Sequence, residues 1–232
     1  MTTGEKFEKV ADIVYDKGKT DGDRAMWDAI TNNNTRKSYT YGFYAWAGVE
    51  YLRPPYKIFV NGACGAAFCF MPNLKAIEKA YFDLSGVTGD VTGIFRNSSA
   101  LETIEDCGLP AMNSYPTAYL NCNNLHTIEL IRVKKETTYS NTFNANHKLA
   151  NVKFEGEIGQ TISFLNSPLS KESIINIYEH LSTTTTGTTL TLKKTAVNEA
   201  FGINVDNTAT YPEGSEYYTL RHSRDNWSVS YV

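Results

Sequence analysis

The chain has 232 residues, 41% of them hydrophobic and 20% charged, an ordinary globular composition with enough apolar material for a sizeable core. A formal net charge of −3, with neither a basic arm nor an acidic tail, gives no electrostatic reason to expect a nucleic-acid partner or an anionic membrane. No stretch approaches roughly 18 consecutive apolar residues, so no membrane insertion is expected, and residues 1–7 lack the basic-then-apolar pattern of a secretory signal.

Three units are expected in chain order: an N-terminal helical segment and cap over 1–58, a repeat solenoid over 59–168 and a C-terminal capping unit over 169–232. In the first, Phe7, Val10 and Val14 recur at helical spacing and Gly18 supplies a stop. A second helix starts at the capping-box-like Thr20, Asp21, Gly22 and Asp23, places Trp27 and Ile30 on one face, and ends in Asn32, Asn33, Asn34 and Thr35. Aromatics then crowd together: Tyr39, Tyr41, Phe43, Tyr44 and Trp46, with Tyr51 and Tyr56 behind them. Core and capping duty is the favoured reading of this cluster. Exposed rings that stack on sugars or anchor an interface are the alternative.

A repeat follows. An aromatic, five residues, Leu or Val, two residues and Ile or Val recur as Phe68, Leu74, Ile77; Phe95, Leu101, Ile104; Tyr119, Leu125, Ile128; and Phe143, Leu149, Val152. The aromatics are 27, 24 and 24 residues apart, inside the window of about 20–29 for leucine-rich repeats. Phe43, Val49 and Leu52 fit one step earlier, though Pro54 and Pro55 follow them, and a truncated copy begins at Phe164 and Leu169. One turn of such a coil cannot bury its apolar face alone, so stacked turns must align like positions into ladders. The aromatics should stack, and Ile77, Ile104, Ile128 and Val152 should point inward from short parallel strands. Period-two alternation then sends Ala76, Glu78, Thr103, Glu105, Thr127, Glu129, Asn151 and Lys153 outward, as a narrow, mildly acidic surface. Asn and Ser just after each aromatic (Asn97, Ser98, Ser99; Asn121 to Asn124; Asn144, Asn146) mark tight corners.

Past the repeat, Ser170 is the expected N-cap of a helix with Ile174, Ile175, Tyr178 and Leu181 on its apolar face. Residues 183–187 read as a loop, 188–192 as an alternating strand, 196–200 as helical and 227–231 as a closing strand. The expected fold class is therefore an α/β repeat: a short leucine-rich-repeat solenoid with parallel strands, an N-terminal helical segment and an α+β C-terminal cap.

The pattern of an aromatic, a small residue three positions on (Ser98, Cys122, Asn146), then Leu and Ile resembles the BspA-like, or Treponema-type, leucine-rich repeat of bacterial surface proteins and phage-encoded proteins. The resemblance spans about residues 60–170, and Met71 departs from it in the first copy. Residues 14–29, together with Tyr41, Gly42, Phe43 and Pro55 to Ile58, resemble more loosely a leader found in repeat proteins of gut Firmicutes and their phages. The C-terminal ending is similar to that of phage-associated repeat proteins. These likenesses imply a fold and a binding role, and no catalytic residues.

Chemistry is sparse. No zinc, phosphate-binding, dinucleotide or nucleophile-elbow motif is present. Cys64, Cys69, Cys107 and Cys122 read as buried thiols, since Cys64-x4-Cys69 lacks zinc-knuckle spacing. Cys122-x3-His126 has the residue types of a nucleophile and base, yet Cys122 fills the repeat's small position; His147, His180 and His222 have no motif around them. Glu78, Glu105 and Glu129 share equivalent rungs, about 4.8 Å apart if the strands pair, and a solvated face is favoured over a cation site. The expectation is a non-enzymatic protein without cofactor or metal, binding a protein or cell-surface glycan through the outward ladder, as a homo-oligomer or beside other virion subunits. A phage or prophage virion, in a tail-fibre or baseplate accessory role, is the expected setting. A bacterial cell-surface adhesin or interaction module is the alternative, and a hydrolase or metal-dependent enzyme using Glu105 or Glu129 a third reading.

Overall fold

A computed structural model describes residues 24–32, 36–205 and 211–232. The first predicted helix, the start of the second and most of its Asn-rich end lie outside the described residues. In order the chain forms α1 (Arg24–Thr31), β1 (Ile58–Gly62), β2 (Ala76–Ile77), β3 (Phe82–Val87), β4 (Thr103–Ile104), β5 (Met112–Ser114), β6 (Thr127–Thr138), β7 (Asn151–Gly156), β8 (Ile162–Phe164), α2 (Lys171–His180), β9 (Thr189–Leu192), α3 (Lys194–Phe201), α4 (Glu216–His222) and β10 (Ser228–Tyr231). Every strand pairing is parallel, and the chain winds into a β-solenoid of about six turns.

One ring per turn sets the axis. Phe43, Phe68, Phe95, Tyr119, Phe143 and Phe164 stack in that order, with centroids 5.0, 5.5, 5.7, 5.5 and 4.5 Å apart. The copy before Phe68 and the truncated copy after Phe143 thus both join the ladder. Each ring is buried, so every turn hides an aromatic that it would expose if it stood alone. At the near end α1 lays Trp27 against Phe43 and Trp46.

The corner that carries each ring is built from left-handed backbone. Two residues before and two after the ring, φ lies between 51° and 61°: Tyr41 and Ala45, Ala66 and Phe70, Gly93 and Asn97, Thr117 and Asn121, Asn141 and Ala145. These kinks turn successive N–H groups along the solenoid axis. Tyr41, Phe43 and Ala45 donate to carbonyls of the next turn, as do Ala66, Phe68 and Phe70, Gly93, Phe95 and Asn97, and Thr117, Tyr119 and Asn121, all at 2.8–3.1 Å. The small residue three beyond the ring has its own task. Ser98 Oγ donates to the Phe68 carbonyl at 2.7 Å and Cys122 Sγ to the Phe95 carbonyl at 3.0 Å, each reaching back one turn.

Two walls flank the corner. In one, β2, β4, β6 and β7 pair in register, aligning Ile77, Ile104, Ile128 and Val152 inward and Ala76, Thr103, Thr127 and Asn151 outward. The other was not anticipated: β1 pairs with β3, and β5 with the second half of β6. Ile58, Val60, Phe82, Leu84, Met112, Ile131 and Val133 bury their side chains there, so β6 runs on past the repeat template as one strand serving both walls.

The C-terminal end closes the ladder with side chains. Helix α2 starts at Ser170, whose hydroxyl caps Ser173 N–H as expected. Ser173 Oγ accepts from Val152 N–H and donates to the Ala150 carbonyl, both at 2.9 Å, while Asn176 Oδ1 accepts from Phe154 N–H at 2.7 Å. The helix thereby stands in for the strand that would have followed β7. Strands β8, β9 and β10 form a second small sheet in the order β10-β9-β8; α3 and α4 pack on α2, and Tyr217 of α4 bonds Tyr231 of β10 through their hydroxyls.

Candidate binding face

The outward ladder predicted from the repeat exists, and its glutamates are committed to the fold. Glu105 Oε2 accepts from Lys79 N–H of the preceding turn at 2.8 Å, and Glu129 Oε2 accepts from Asp106 N–H of the preceding turn at 3.0 Å. Glu78 instead takes both ends of the Arg53 guanidinium, at 3.2 and 3.3 Å. The repeated carboxylate is thus a latch between turns, which explains its recurrence without a ligand. Among the described residues no group of three or more His, Cys, Asp or Glu side chains gathers in a way that would hold a metal ion.

Half of the ladder lines a groove of about 480 Å³ between the strand face and the start of α2. Thr127, Glu129, Asn151 and Lys153 contribute to it; Ala76, Glu78, Thr103 and Glu105 lie farther along the same face, outside the groove. Ser170, Glu172 and Ser173 of α2 form one bank and Asp106 the other. A bulge in β6 shapes the floor. Ile128 pairs with Val152 and Ile131 with Phe154, so Glu129 and Leu130 together oppose Lys153, and half-exposed Leu130 turns into the groove. Asp106, Leu130 and the α2 residues were missed from sequence. The run Ile128, Glu129, Leu130, Ile131 breaks strict alternation, and that break was the available signal.

The rim is electrostatically divided. Arg132 bonds both Asp106 oxygens at 2.8 Å, and this holds the Asp106 carboxyl below its ordinary range; Arg132 also lies 3.4 Å from Glu155. Lys79 stands 3.8 Å from Glu129. Lys153 has no ion pair among the described residues and points its ammonium to solvent at the groove edge. Asn151 Nδ2 reaches Thr127 Oγ1 at 3.4 Å, and His126, outside the groove, meets the same hydroxyl through Nδ1 at 3.0 Å, so the floor carries hydroxyl and amide groups beside Leu130.

The remaining candidates separate cleanly. All four cysteines are buried and free. Burial pushes the Cys64, Cys107 and Cys122 thiols up to about 12, far from the thiolate that nucleophilic chemistry needs. Exposed His126 bonds Thr127, while Cys122 bonds the Phe95 carbonyl, so the pair is not engaged with each other. His180 and His222 each meet a backbone carbonyl one helical turn back, at 2.8 Å. The aromatic cluster divides: Tyr39, Phe43 and Trp46 are core, whereas Tyr41, Tyr44 and Tyr51 face solvent. Tyr51 occupies the first rung of the outward ladder with the Arg53 guanidinium 4.4 Å over its ring. No helix among the described residues is long and apolar enough to cross a membrane.

No protein-family model, curated protein or solved structure gives a significant match to this chain.

Proposed function

We propose that this chain is a non-enzymatic recognition protein that engages a protein or cell-surface glycan through its outward strand face, centred on the groove beside α2. The observation that carries this reading is the groove itself. Its floor is made of the outward positions of a rigid ladder, and it presents an unpaired Lys153, amide and hydroxyl groups, and a partly buried leucine. Recognition sites have this character, a concave surface with a few fixed polar groups on stiff elements. The closure of the β7 edge by Ser173 and Asn176 also favours lateral binding over end-to-end stacking at that end.

The repeat's resemblance to the BspA-like leucine-rich type supports a finer reading: a phage or prophage virion component, in a tail-fibre or baseplate accessory position, contacting the host surface or a neighbouring subunit. Mass spectrometry of purified virions from the source strain tests it. Stoichiometric presence is the expected outcome; absence from virions removes the particle role and leaves an adhesin or free interaction module. The face is tested separately with Thr127→Arg/Lys153→Glu, neither residue being one of the glutamates that latch the turns, and Thr127 giving up only the long bond from Asn151 and the one to His126. Binding to host cells or to the partner subunit should fall at least tenfold with the fold intact, a loss of about 1.4 kcal/mol. Unchanged binding would remove the groove from the assignment.

A further inference from the structure

Three exposed aromatics cluster on the ring-bearing corner, on a different wall from the groove. Tyr41 is 54% exposed, Tyr44 38% and Phe70 41%. Tyr41 packs edge-on to Tyr44 with centroids 5.2 Å apart, and Tyr44 to Phe70 at 5.5 Å. Burial does not explain them, because their faces remain in water.

Their backbone makes them stranger. Tyr41 and Phe70 hold φ of 55° and 57°, in the left-handed region where a bulky side chain is an outlier. The equivalent corner positions of the other turns carry Gly93, Asn97, Asn121, Asn141, Ala45, Ala66 and Ala145, all small or tolerant of that conformation, and Thr117, the one other exception. Local strain without a packing return is the kind of feature that function retains. Arg96 stands one turn on from Phe70, its carbonyl accepting from Phe70 N–H at 2.9 Å. Its side chain is exposed and forms no ion pair among the described residues.

We propose that Tyr41, Tyr44 and Phe70 form a saccharide-binding platform, on which pyranose rings stack while Arg96 donates to a hydroxyl or carboxylate of the same sugar chain. Size decides between a saccharide and a protein partner. The three exposed portions sum to roughly 200–330 Å², taking about 150–250 Å² for a whole aromatic side chain. That suits one or two sugar rings and is less than half of the roughly 800 Å² each partner contributes to a stable protein interface. The T-shaped contacts leave ring faces free at differing angles, which suits the C–H-rich faces of sugars.

This site stands independently of the groove. The test is an array of immobilised neutral and uronic- or sialic-acid-bearing oligosaccharides, probed with the full chain, with Tyr41→Asn/Phe70→Asn and with Arg96→Gln. Asparagine accepts left-handed backbone, so the double variant should fold with an unchanged or higher thermal midpoint. It should nevertheless lose array binding at least tenfold, whereas Arg96→Gln should weaken acidic saccharides more than neutral ones. The groove variant Thr127→Arg/Lys153→Glu should keep the array binding that Tyr41→Asn/Phe70→Asn removes; loss in the groove variant alone would assign the saccharide to the groove and overturn the platform. The assignment is overturned if the unaltered chain binds no saccharide, if the double variant retains full binding, or if its midpoint falls. A change from dimer to monomer in the double variant would make this face a contact between copies instead.

Discussion

The central turns and the C-terminal unit solve the same problem by opposite means. From Phe68 to Val152 each turn is satisfied by its neighbour: ring on ring, N–H on carbonyl, glutamate on the preceding backbone. Beyond Phe164 nothing repeats. Tyr178, Tyr217 and Tyr231 join their hydroxyls in a buried chain at 3.0 and 2.8 Å. Trp227 Nε1 donates to the Ser182 carbonyl, and Arg224 to those of Leu181 and Glu179. The first region gains stability by adding equal interfaces; the second depends on particular long-range bonds, each made once. A change in the solenoid should therefore propagate to both neighbouring turns, while one in the cap should act on the closure as a unit.

Alkali should produce the largest effect and should reach the solenoid first, because the raised thiols lie there. Burial raises the Cys64, Cys107 and Cys122 thiols from 9.0 to about 12, and Tyr231 from 10.0 to about 12, with Tyr178 and Tyr217 pushed up further by the same cause. These groups are neutral when protonated and hold the proton more tightly in the fold than in the unfolded chain. Their contribution is complete below the ordinary value and is lost as pH rises toward the folded one. Each removes about 1.4 kcal/mol per pH unit within that interval. Denaturant midpoints should fall from about pH 9 through the solenoid thiols, with buried tyrosines of both regions, Tyr115 and Tyr119 in the solenoid and Tyr178 and Tyr217 in the cap, adding to the slope above about pH 10. In Cys64→Ala/Cys107→Ala the fall above about pH 9 should become shallower, with Cys122 left to contribute. An unchanged slope would mean that Cys64 and Cys107 do not set the alkaline limit.

Next in size is a missing rung. Phe95→Ala removes a buried ring stacked on both Phe68 and Tyr119, and should cost about 3–5 kcal/mol in chemical denaturation. Faster hydrogen exchange should spread to the turns on both sides. A cost near 1 kcal/mol would show that the turns are held mainly by their backbone bonds rather than by the ring column. The closure is weaker per bond. Ser173→Ala leaves Val152 N–H without its buried partner, while the Ala150 carbonyl keeps Ser170 N–H, and should cost about 1–3 kcal/mol. If Ser173→Ala also leaves the β7 edge open, concentration-dependent association should accompany the loss.

What could be read in advance follows the same divide. Phe68, Leu74 and Ile77 announce a turn because each has one task repeated in every copy, and Ser170 announces α2 because capping is local chemistry. The second wall was hidden, since Ile58, Val60, Phe82 and Leu84 sit at positions that the three-residue template does not cover. The closure was hidden too: nothing local distinguishes Ser173 and Asn176 from any polar residues on a helix. At the groove, Thr127, Glu129, Asn151 and Lys153 followed from alternation, while Leu130 arrived through a bulge and Ser170 and Glu172 through the docking of α2. Sequence also gave the glutamates too much freedom, because a carboxylate latching a neighbour's backbone looks the same as one facing water.

The smallest effect tests the least legible feature, the paired left-handed positions. Only Gly93, Asn97, Asn121 and Asn141 are residues that a search for such backbone would have flagged. Thr117 is the extreme case: a β-branched residue at φ 52°, its buried hydroxyl without a hydrogen-bond partner among the described residues. Its backbone still does the work of the corner, since Thr117 N–H donates to the Ser140 carbonyl at 2.8 Å and that bond needs no particular side chain. Asn141 fills the same position one turn on. Thr117→Asn should therefore stabilise the chain by about 0.5–1 kcal/mol, part of the roughly 1–2 kcal/mol that left-handed backbone costs an ordinary residue. Gly93→Ala should do the reverse by about 1 kcal/mol, because its added Cβ meets the strained φ of 59° as well as the Arg96 side chain at 3.4 Å. If the two substitutions moved stability in the same direction, packing around the corner rather than backbone conformation would govern it. The exposed Tyr41 and Phe70 would then need no functional reason for their strain.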